Sequence, residues 1–335
     1  MEVNYDLFVN TLFMKAQAKG IPLSGSFELT ARCNFDCRMC YIHRRSRDRE
    51  ALMGEKNADW WVTLAKQAKE HGTLLLLLTG GEPLIRKNDI LTLCRENPDC
   101  AFLAYTNATL VDREFCEQMR EVGNLTLALS IEGNDYRRGE GAYARTMAAM
   151  KLLREYGLLF GISVCYTSKN IPAVTSDEFI DLMIENGVRF GLYFNYMPVG
   201  HDAVPELIPS PEQRVHMYKW LRRMRNSETG KPMFVMDFQN DAEYVGGCIA
   251  GGRNYFHINS EGDMEPCVFI HYSDSNIRKN TLIEGLKSPL FQAYYRNQPF
   301  NDNHLRPCPM LENPQCLRKI IADTGARSID LIAPE

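Results

Sequence analysis

The stretch SFELTARCNFDCRMC, residues 26–40, joins a β-rich run to a loop that carries three closely spaced cysteines. The run over residues 26–31 predicts a β-strand. Cys33, Cys37 and Cys40 follow in the spacing C-x3-C-x2-C, which brings three thiolates onto one tight loop. Three thiolates suit an iron–sulfur cubane that keeps one iron open. A structural zinc site needs four ligands, usually in C-x2-C pairs, and this loop lacks that pattern.

A second motif, Gly80-Gly81-Glu82-Pro83, directly follows the apolar run at residues 74–78. That run is far too short to span a bilayer and is typical of a buried parallel strand. The cysteine triplet, followed by GGEP at the end of a second strand, resembles the radical SAM superfamily. The resemblance implies a [4Fe–4S] cluster on the three cysteines, with S-adenosylmethionine (SAM) chelated by the open iron. Reductive cleavage of SAM would then yield a 5′-deoxyadenosyl radical that abstracts hydrogen from a substrate.

Length and composition narrow the function classes. The chain has 335 residues, a net charge of −4 and a pI near 6.0. It therefore has no global basic field, and we expect no nucleic-acid partner. Residues 1–14 lack the pattern of a signal peptide, and 11 cysteines without an export signal favour metal ligation in a reducing compartment. We expect a cytoplasmic protein with no membrane partner.

Six β-rich runs alternate with helical periods. They are residues 26–31, 74–79, 101–106, 125–131, 159–166 and 189–196. The alternation predicts βα units around a parallel sheet. With the resemblance, it predicts an α/β fold: a partial (β/α)6 TIM-like barrel of the radical SAM type with a smaller C-terminal α+β extension. A polar break at residues 226–232 divides the chain into a barrel over residues 1–226, with its core at about 22–200, and an extension over 227–335.

Capping signals mark several helices. Asp59 predicts the start of a helix that ends at Gly72. Thr175 with Glu178 predicts a capping box, and residues 210–213 predict another, with proline at the first helical position. Beyond the break, residues 254–269 predict a β-hairpin, and helices are predicted near residues 282–286 and from about residue 314.

The resemblance also assigns SAM contacts, which lie at the carboxyl ends of strands where barrel enzymes keep their ligands. The assigned residues are Gly80, Gly81, Glu82, Thr106, Asn107, Ser130, Glu132, Arg138 and Tyr41. In the family, the GGEP loop receives the SAM ammonium. Residues 106–109 (TNAT) resemble the family's TNGT, and Ser130 with Glu132 resembles its SxEG. Two alternatives stay open: Ser130 and Asn107 satisfy local turns, and Arg138 is a solvated surface residue.

One position departs from the family pattern. An aromatic residue usually precedes the third cysteine and lies against adenine. This chain has Met39 there, with Tyr41 after the motif. Methionine also covers a ring face, so SAM binding is still expected.

A second cysteine set lies in the extension. Cys248 and Cys267 fit C-x13-G-x4-C, which resembles the start of a SPASM/Twitch domain. The later C-x2-C-x5-C-x3-C run of a full SPASM domain is missing, and only Cys308 and Cys316 remain. Four cysteines suffice for one auxiliary [4Fe–4S] cluster, so a shortened, Twitch-like domain is predicted. If only three bind, the open iron is available to a substrate.

Several other residues have a structural and a functional interpretation. Four cysteines lack ligand spacing and are interpreted as buried small hydrophobes: Cys94, Cys100, Cys116 and Cys165. Glu28, Tyr193 and Asn195 are candidates for substrate contact, with satisfied barrel polar groups as the alternative. No catalytic acid–base residue follows from the sequence.

Three functions are compatible with these patterns. The first is a radical SAM enzyme that abstracts hydrogen from a peptide or protein substrate, of the maturase type. The second is a small-molecule dehydrogenase or tailoring enzyme that uses the auxiliary cluster as electron acceptor. A non-catalytic iron–sulfur electron carrier ranks third, because a protein that does not bind SAM does not need a GGEP loop. Either enzyme needs a flavodoxin- or ferredoxin-type donor. The basic run at residues 43–49 is usually a solvated face, and it is also a docking candidate for that donor or for an acidic substrate group.

Overall fold

The computed structural model describes residues 5–42, 53–199 and 203–329. Within them, nine strands form one sheet. The strands are β1 (Ser24–Glu28), β2 (Leu75–Thr79), β3 (Ala101–Thr106), β4 (Leu125–Ser130), β5 (Phe160–Tyr166), β6 (Phe190–Asn195), β7 (Phe234–Asp237), β8 (Tyr255–Ile258) and β9 (Met264–Glu265). Their order is β7-β6-β5-β4-β3-β2-β1-β8-β9. All neighbouring pairs are parallel except β8 with β9.

Helices supply the crossovers that parallel neighbours require. The described helices are α1 (Tyr5–Ala18), α2 (Ala58–His71), α3 (Lys87–Glu96), α4 (Arg113–Val122), α5 (Ala142–Glu155), α6 (Ile171–Val174), α7 (Asp177–Glu185), α8 (Pro211–Arg225), α9 (Leu282–Leu286), α10 (Pro289–Arg296), α11 (Pro309–Glu312) and α12 (Pro314–Thr324). None of them is long and apolar enough to cross a bilayer. The main core lies between sheet and helices and includes Phe27, Phe102 and Phe160 of the strands, and the Phe27 ring packs against Trp61 of α2.

The α/β prediction is confirmed, and the six predicted strands are consecutive neighbours in a larger sheet. The structure adds β7 and β8 to the parallel sheet, next to β6 and β1 respectively. β8 is the first strand of the predicted hairpin, and it also pairs with β1, with Ser24 opposite Tyr255. The sheet thus continues past residues 226–232, while the domain boundary there stays a prediction.

Two helix starts differ from the predicted ones. The cap of α2 is Asn57, whose side chain accepts from Trp60 N at 3.1 Å, and Asp59 lies within the first turn. The cap of α7 is Ser176 rather than Thr175. Ser176 has the extended backbone of a cap, with φ −69° and ψ 151°, and its Oγ accepts from Phe179 N at 3.1 Å, whereas the Thr175 hydroxyl donates to Ile171 O in the preceding turn.

The remaining predicted elements are confirmed. Gly72 ends α2 with a φ of 106°, a left-handed conformation that glycine adopts without a steric penalty. Ser210 and Gln213 form the capping box of α8. The helices α9 and α12 lie where the sequence predicts them. Around α10 and α12 a second core joins Tyr294, Leu317 and Leu77 of β2, so the extension packs on the sheet.

Candidate active site

A cavity of about 300 Å³ lies at the carboxyl ends of the parallel strands. Thr79, Thr106, Ser130 and Asn195 line it, and each is the last residue of its strand. Most other lining residues are aromatic or lie near the cysteines. The cysteines are Cys33, Cys37 and Cys40 on one loop, and Cys248, Cys267 and Cys308 on three segments of the extension. This is where a barrel enzyme keeps its ligands, as the sequence predicts.

The cysteine loop contributes Cys33, Cys37 and Cys40 to one wall of the cavity. The GGEP loop fixes the backbone that enters this loop: Gly81 N donates to Thr30 O at 2.9 Å, and Glu82 N donates to Arg32 O at 2.8 Å. A Cβ on Gly81 would lie 2.2 Å from Arg32 O, which is closer than atoms can approach. The glycine is therefore required by the backbone contact itself.

The carboxylate of Glu82 bridges β2 and β3. It accepts from Leu84 N at 2.9 Å, Thr106 Oγ1 at 2.7 Å and Asn107 N at 2.7 Å. Burial raises the pKa of Glu82, and these three donors oppose the rise. The carboxylate therefore organises the loops at the cavity, and its contact with SAM stays a prediction.

Asn34, which the sequence analysis missed, ties the cysteine loop to the loop after β3. Asn107 Nδ2 donates to Asn34 Oδ1 at 2.8 Å, and Asn34 Nδ2 donates to Thr109 Oγ1 at 2.8 Å. Ala108 between them has a φ of 67°, where the family motif has glycine. The side chain of Asn107 thus satisfies a local turn. The signal that points to Asn34 is its position inside the cysteine motif.

Glu132 lies buried between two arginines. Arg138 donates to it from Nε at 2.6 Å and Nη2 at 2.8 Å, and Arg137 donates from Nη1 at 2.9 Å. Burial alone would raise the pKa of Glu132, but the two guanidinium groups outweigh it and hold the pKa below the usual value. Arg138 is 13% exposed, so the solvated-surface interpretation is wrong.

Arg137 also lines the cavity, and the sequence analysis missed it. Its Nε is buried and has no hydrogen-bond partner among the described residues. Arg138 lines the cavity as well and spends Nε and Nη2 on Glu132, so both guanidinium groups contribute positive charge to this wall. In the sequence, this cluster is indicated by Glu132, which lies five positions before the pair Arg137-Arg138.

Met39 and Tyr41 both line the cavity, and their contact with adenine stays a prediction. Met39 has a φ of 58° and packs with Tyr196 and Leu207. The Tyr41 ring makes an edge contact with Phe269 of the extension, with ring centroids 5.1 Å apart. The extension therefore helps to close the cavity.

The four cysteines of the second set do not all lie at the cavity. Cys248, Cys267 and Cys308 line the cavity, but Cys316 does not. Cys316 lies in the first turn of α12, and its Sγ is 3.7 Å from Asn297 Oδ1. The structure thus brings together three of the four predicted auxiliary ligands.

The chemistry of both cysteine groups fits an iron–sulfur cluster. Among the described residues, no three His, Cys, Asp or Glu side chains converge closely enough to hold one metal ion. A cubane takes one thiolate at each of several irons, so its ligands stand further apart than those of a single ion. Burial raises the pKa of the Cys33 and Cys308 thiols to about 12, so their thiolates form only when a metal displaces the protons.

Of the remaining cysteines and tyrosine named in the sequence, most are buried and one lines the cavity. Cys94, Cys100 and Cys116 are buried, as predicted. Cys165 is not a core residue, because it is half-buried and lines the cavity from β5. The Tyr193 hydroxyl donates to Val174 O at 2.9 Å and is a satisfied core group.

Glu28 and the basic run are the last two candidates from the sequence. Glu28 accepts from Ser260 Oγ at 2.9 Å and is also structural. The basic run at residues 43–49 lies outside the described residues.

Comparison with known proteins agrees with this site. Residues 27–183 match the model of the Radical SAM superfamily. The AdoMet-dependent heme synthase of Methanosarcina barkeri is 26% identical over 290 residues, 77% of this chain and 80% of that protein. The antilisterial bacteriocin subtilosin biosynthesis protein AlbA of Bacillus subtilis is 31% identical over 293 residues, 83% of this chain and 62% of that protein. The fold is similar to Streptococcus suis SuiB bound to precursor peptide SuiA, with a TM-score of 0.68 and 20% identity over 88% of this chain and 73% of SuiB.

These similarities, with the cysteine and GGEP loops at one cavity, identify the chain as a member of the radical SAM superfamily and as an enzyme. Family membership implies a [4Fe–4S] cluster and SAM as cofactors. The mostly parallel sheet corresponds to the predicted partial TIM-like barrel, enlarged by three strands.

Proposed function

We propose that this enzyme abstracts hydrogen from a peptide or protein substrate, and that an auxiliary iron–sulfur cluster faces the same cavity. The observation that carries the proposal is the joint lining of one cavity by Cys33, Cys37 and Cys40 and by Cys248, Cys267 and Cys308. A bound [4Fe–4S] cluster with SAM supplies the radical that takes the hydrogen atom. The protein positions the substrate between the two cysteine groups and excludes water.

The walls of the cavity favour an apolar group. The Phe194 and Phe238 rings stack with centroids 4.8 Å apart, and Tyr105 makes an edge contact with Phe194 at 5.8 Å. Such walls suit an apolar side chain presented by a peptide. The similarity to AlbA and the fold shared with a peptide-bound SuiB support the same substrate class.

A small-molecule substrate is the second candidate. The observation in its favour is the similarity to the heme synthase of Methanosarcina barkeri, of which the chain covers 80%. In that case the auxiliary cluster would accept an electron from the substrate.

Deuterium transfer distinguishes these candidates. Reconstituted enzyme, SAM and dithionite are mixed with an extract of cells grown in deuterated medium, and 5′-deoxyadenosine is analysed by mass spectrometry. We expect deuterated 5′-deoxyadenosine, because the abstracted atom comes from the substrate. We also expect the signal to disappear after the extract is treated with a protease that is removed before the assay. Retention of the signal after proteolysis would favour the small molecule.

Iron content tests the auxiliary cluster. We expect roughly eight irons per reconstituted chain, two [4Fe–4S] clusters at four irons each. Replacing Cys33, Cys37 and Cys40 with alanine should leave about half of the iron, still as a [4Fe–4S] signal in the Mössbauer spectrum. The matched variant Cys316→Ala should keep both clusters if three cavity thiols suffice. One cluster in the wild type and none in the triple variant would rule the auxiliary site out.

A further inference from the structure

Asn195 has a buried side-chain amide at the cavity wall. It is the last residue of β6, it is 2% exposed, and it lines the cavity. Among the described residues its Oδ1 is buried with no hydrogen-bond partner. Leaving such an acceptor unpaired costs free energy, which a ligand recovers by supplying a donor. The terminal torsion of asparagine is broad, so the amide can turn towards the cavity.

Gln239 adds a donor beside this acceptor. Its Oε1 accepts from the backbone Asn195 N at 3.3 Å, which ties the Gln239 side chain to the main chain at the end of β6. Within the part of the chain that the structure describes, its Nε2 donates only to the Met197 thioether, at 3.9 Å, and thioethers are weak acceptors. The buried carboxylate of Asp237 accepts from Gln239 N at 3.0 Å and fixes the turn that carries Gln239. Gln239 Nε2 is therefore a donor that the fold holds in position and that can still form a hydrogen bond with a ligand.

We propose that Asn195 and Gln239 together bind the main chain of one extended substrate residue, with Asn195 Oδ1 accepting its N–H and Gln239 Nε2 donating to its C=O. The N–H and C=O of one residue in an extended chain point to the same side and bind one neighbour together. The stacked rings of Phe194 and Phe238 line the same cavity, and the apolar side chain of the substrate residue would lie against them. This inference rests on the proposed peptide substrate and adds the groups that recognise it.

The test uses a minimal peptide residue. The probe is N-acetyl-leucine N-methylamide, and its partner is the depsi-analogue in which an ester oxygen replaces the leucine N–H. Affinities for reconstituted enzyme with SAM are measured by ligand-observed NMR. In the wild type we expect the amide to bind about tenfold more tightly, because the analogue leaves Asn195 Oδ1 unpaired. In Asn195→Leu we expect the two affinities to become equal.

Two further variants separate recognition from folding. Asn195→Ala should also abolish the preference, and it serves where leucine prevents folding. Ser163→Ala changes another residue that lines the cavity, and it should keep the tenfold preference. A purely structural role of Asn195 would weaken both probes equally and leave their ratio unchanged.

Three results overturn the inference. They are equal or undetectable binding of both probes to the wild type, a preference retained in Asn195→Leu and Asn195→Ala, and a tenfold loss of SAM affinity in those variants, which would assign the amide to the cofactor. The deuterium-transfer experiment does not use these probes. A peptide-modifying enzyme that holds its substrate elsewhere would therefore pass that experiment and fail this one.

Discussion

Replacing Cys33, Cys37 and Cys40 together with alanine is expected to abolish the formation of 5′-deoxyadenosine from SAM. The three side chains line the cavity from one loop. Without their thiolates no [4Fe–4S] cluster can be held next to SAM, and electron transfer to SAM ends. The measurement is chromatographic quantitation of 5′-deoxyadenosine after anaerobic incubation with SAM and dithionite.

The control for this variant is Cys94→Ala. Cys94 is buried in the main core and does not line the cavity, so the variant should form 5′-deoxyadenosine at the wild-type rate. Wild-type amounts of product from the triple variant would contradict the assignment of the cluster to this loop. Loss of product from Cys94→Ala as well would point to a general loss of folding.

The parts of the site that the sequence predicts are local. The cysteine spacing and GGEP each lie within a few consecutive residues, and each follows a β-rich run that the structure confirms as a strand. Because parallel strands end at a common edge, the two motifs were expected to meet, and they line one cavity. Helix ends with glycine, such as Gly72, are equally local.

The parts that the sequence could not predict depend on long-range contacts. β8 pairs with β1, so that Ser24 lies opposite Tyr255, and no local pattern encodes that partner. Similarly, Cys308 lines the cavity and Cys316 does not, although both follow the same hairpin. Neighbouring hydroxyls add a further ambiguity: Thr175 and Ser176 both suit a cap, and the extended backbone of Ser176 in the folded chain decides between them.

Buried polar clusters are a third kind of feature, for which the sequence predicts the residues but not their roles. The resemblance places Glu132 and Arg138 at SAM, whereas the structure shows them paired with each other. The pair holds Arg137 at the cavity through a second contact with Glu132. A residue that matches a binding motif can therefore act by orienting its neighbour, and the sequence alone does not separate the two roles.

The variant Glu132→Gln is expected to lower the free energy of unfolding by about 3 to 5 kcal/mol, because it leaves two buried guanidinium groups without a counter-charge. The Glu132 side chain is 4% exposed, and those of Arg137 and Arg138 are 14% and 13% exposed. Solvent therefore cannot replace the missing charge at low cost. The measurement is urea unfolding of the apoprotein, followed by circular dichroism.

A matched control and a double variant isolate the ion pair. Asp323→Asn breaks the exposed pair between Lys319 and Asp323 on α12 and should leave the unfolding midpoint unchanged. Adding Arg138→Gln to Glu132→Gln removes one uncompensated charge and should restore part of the lost stability. If Glu132→Gln unfolds at the wild-type urea concentration, the cluster is not a buried ion pair. Its carboxylate would then be free for SAM, as the family resemblance first suggested.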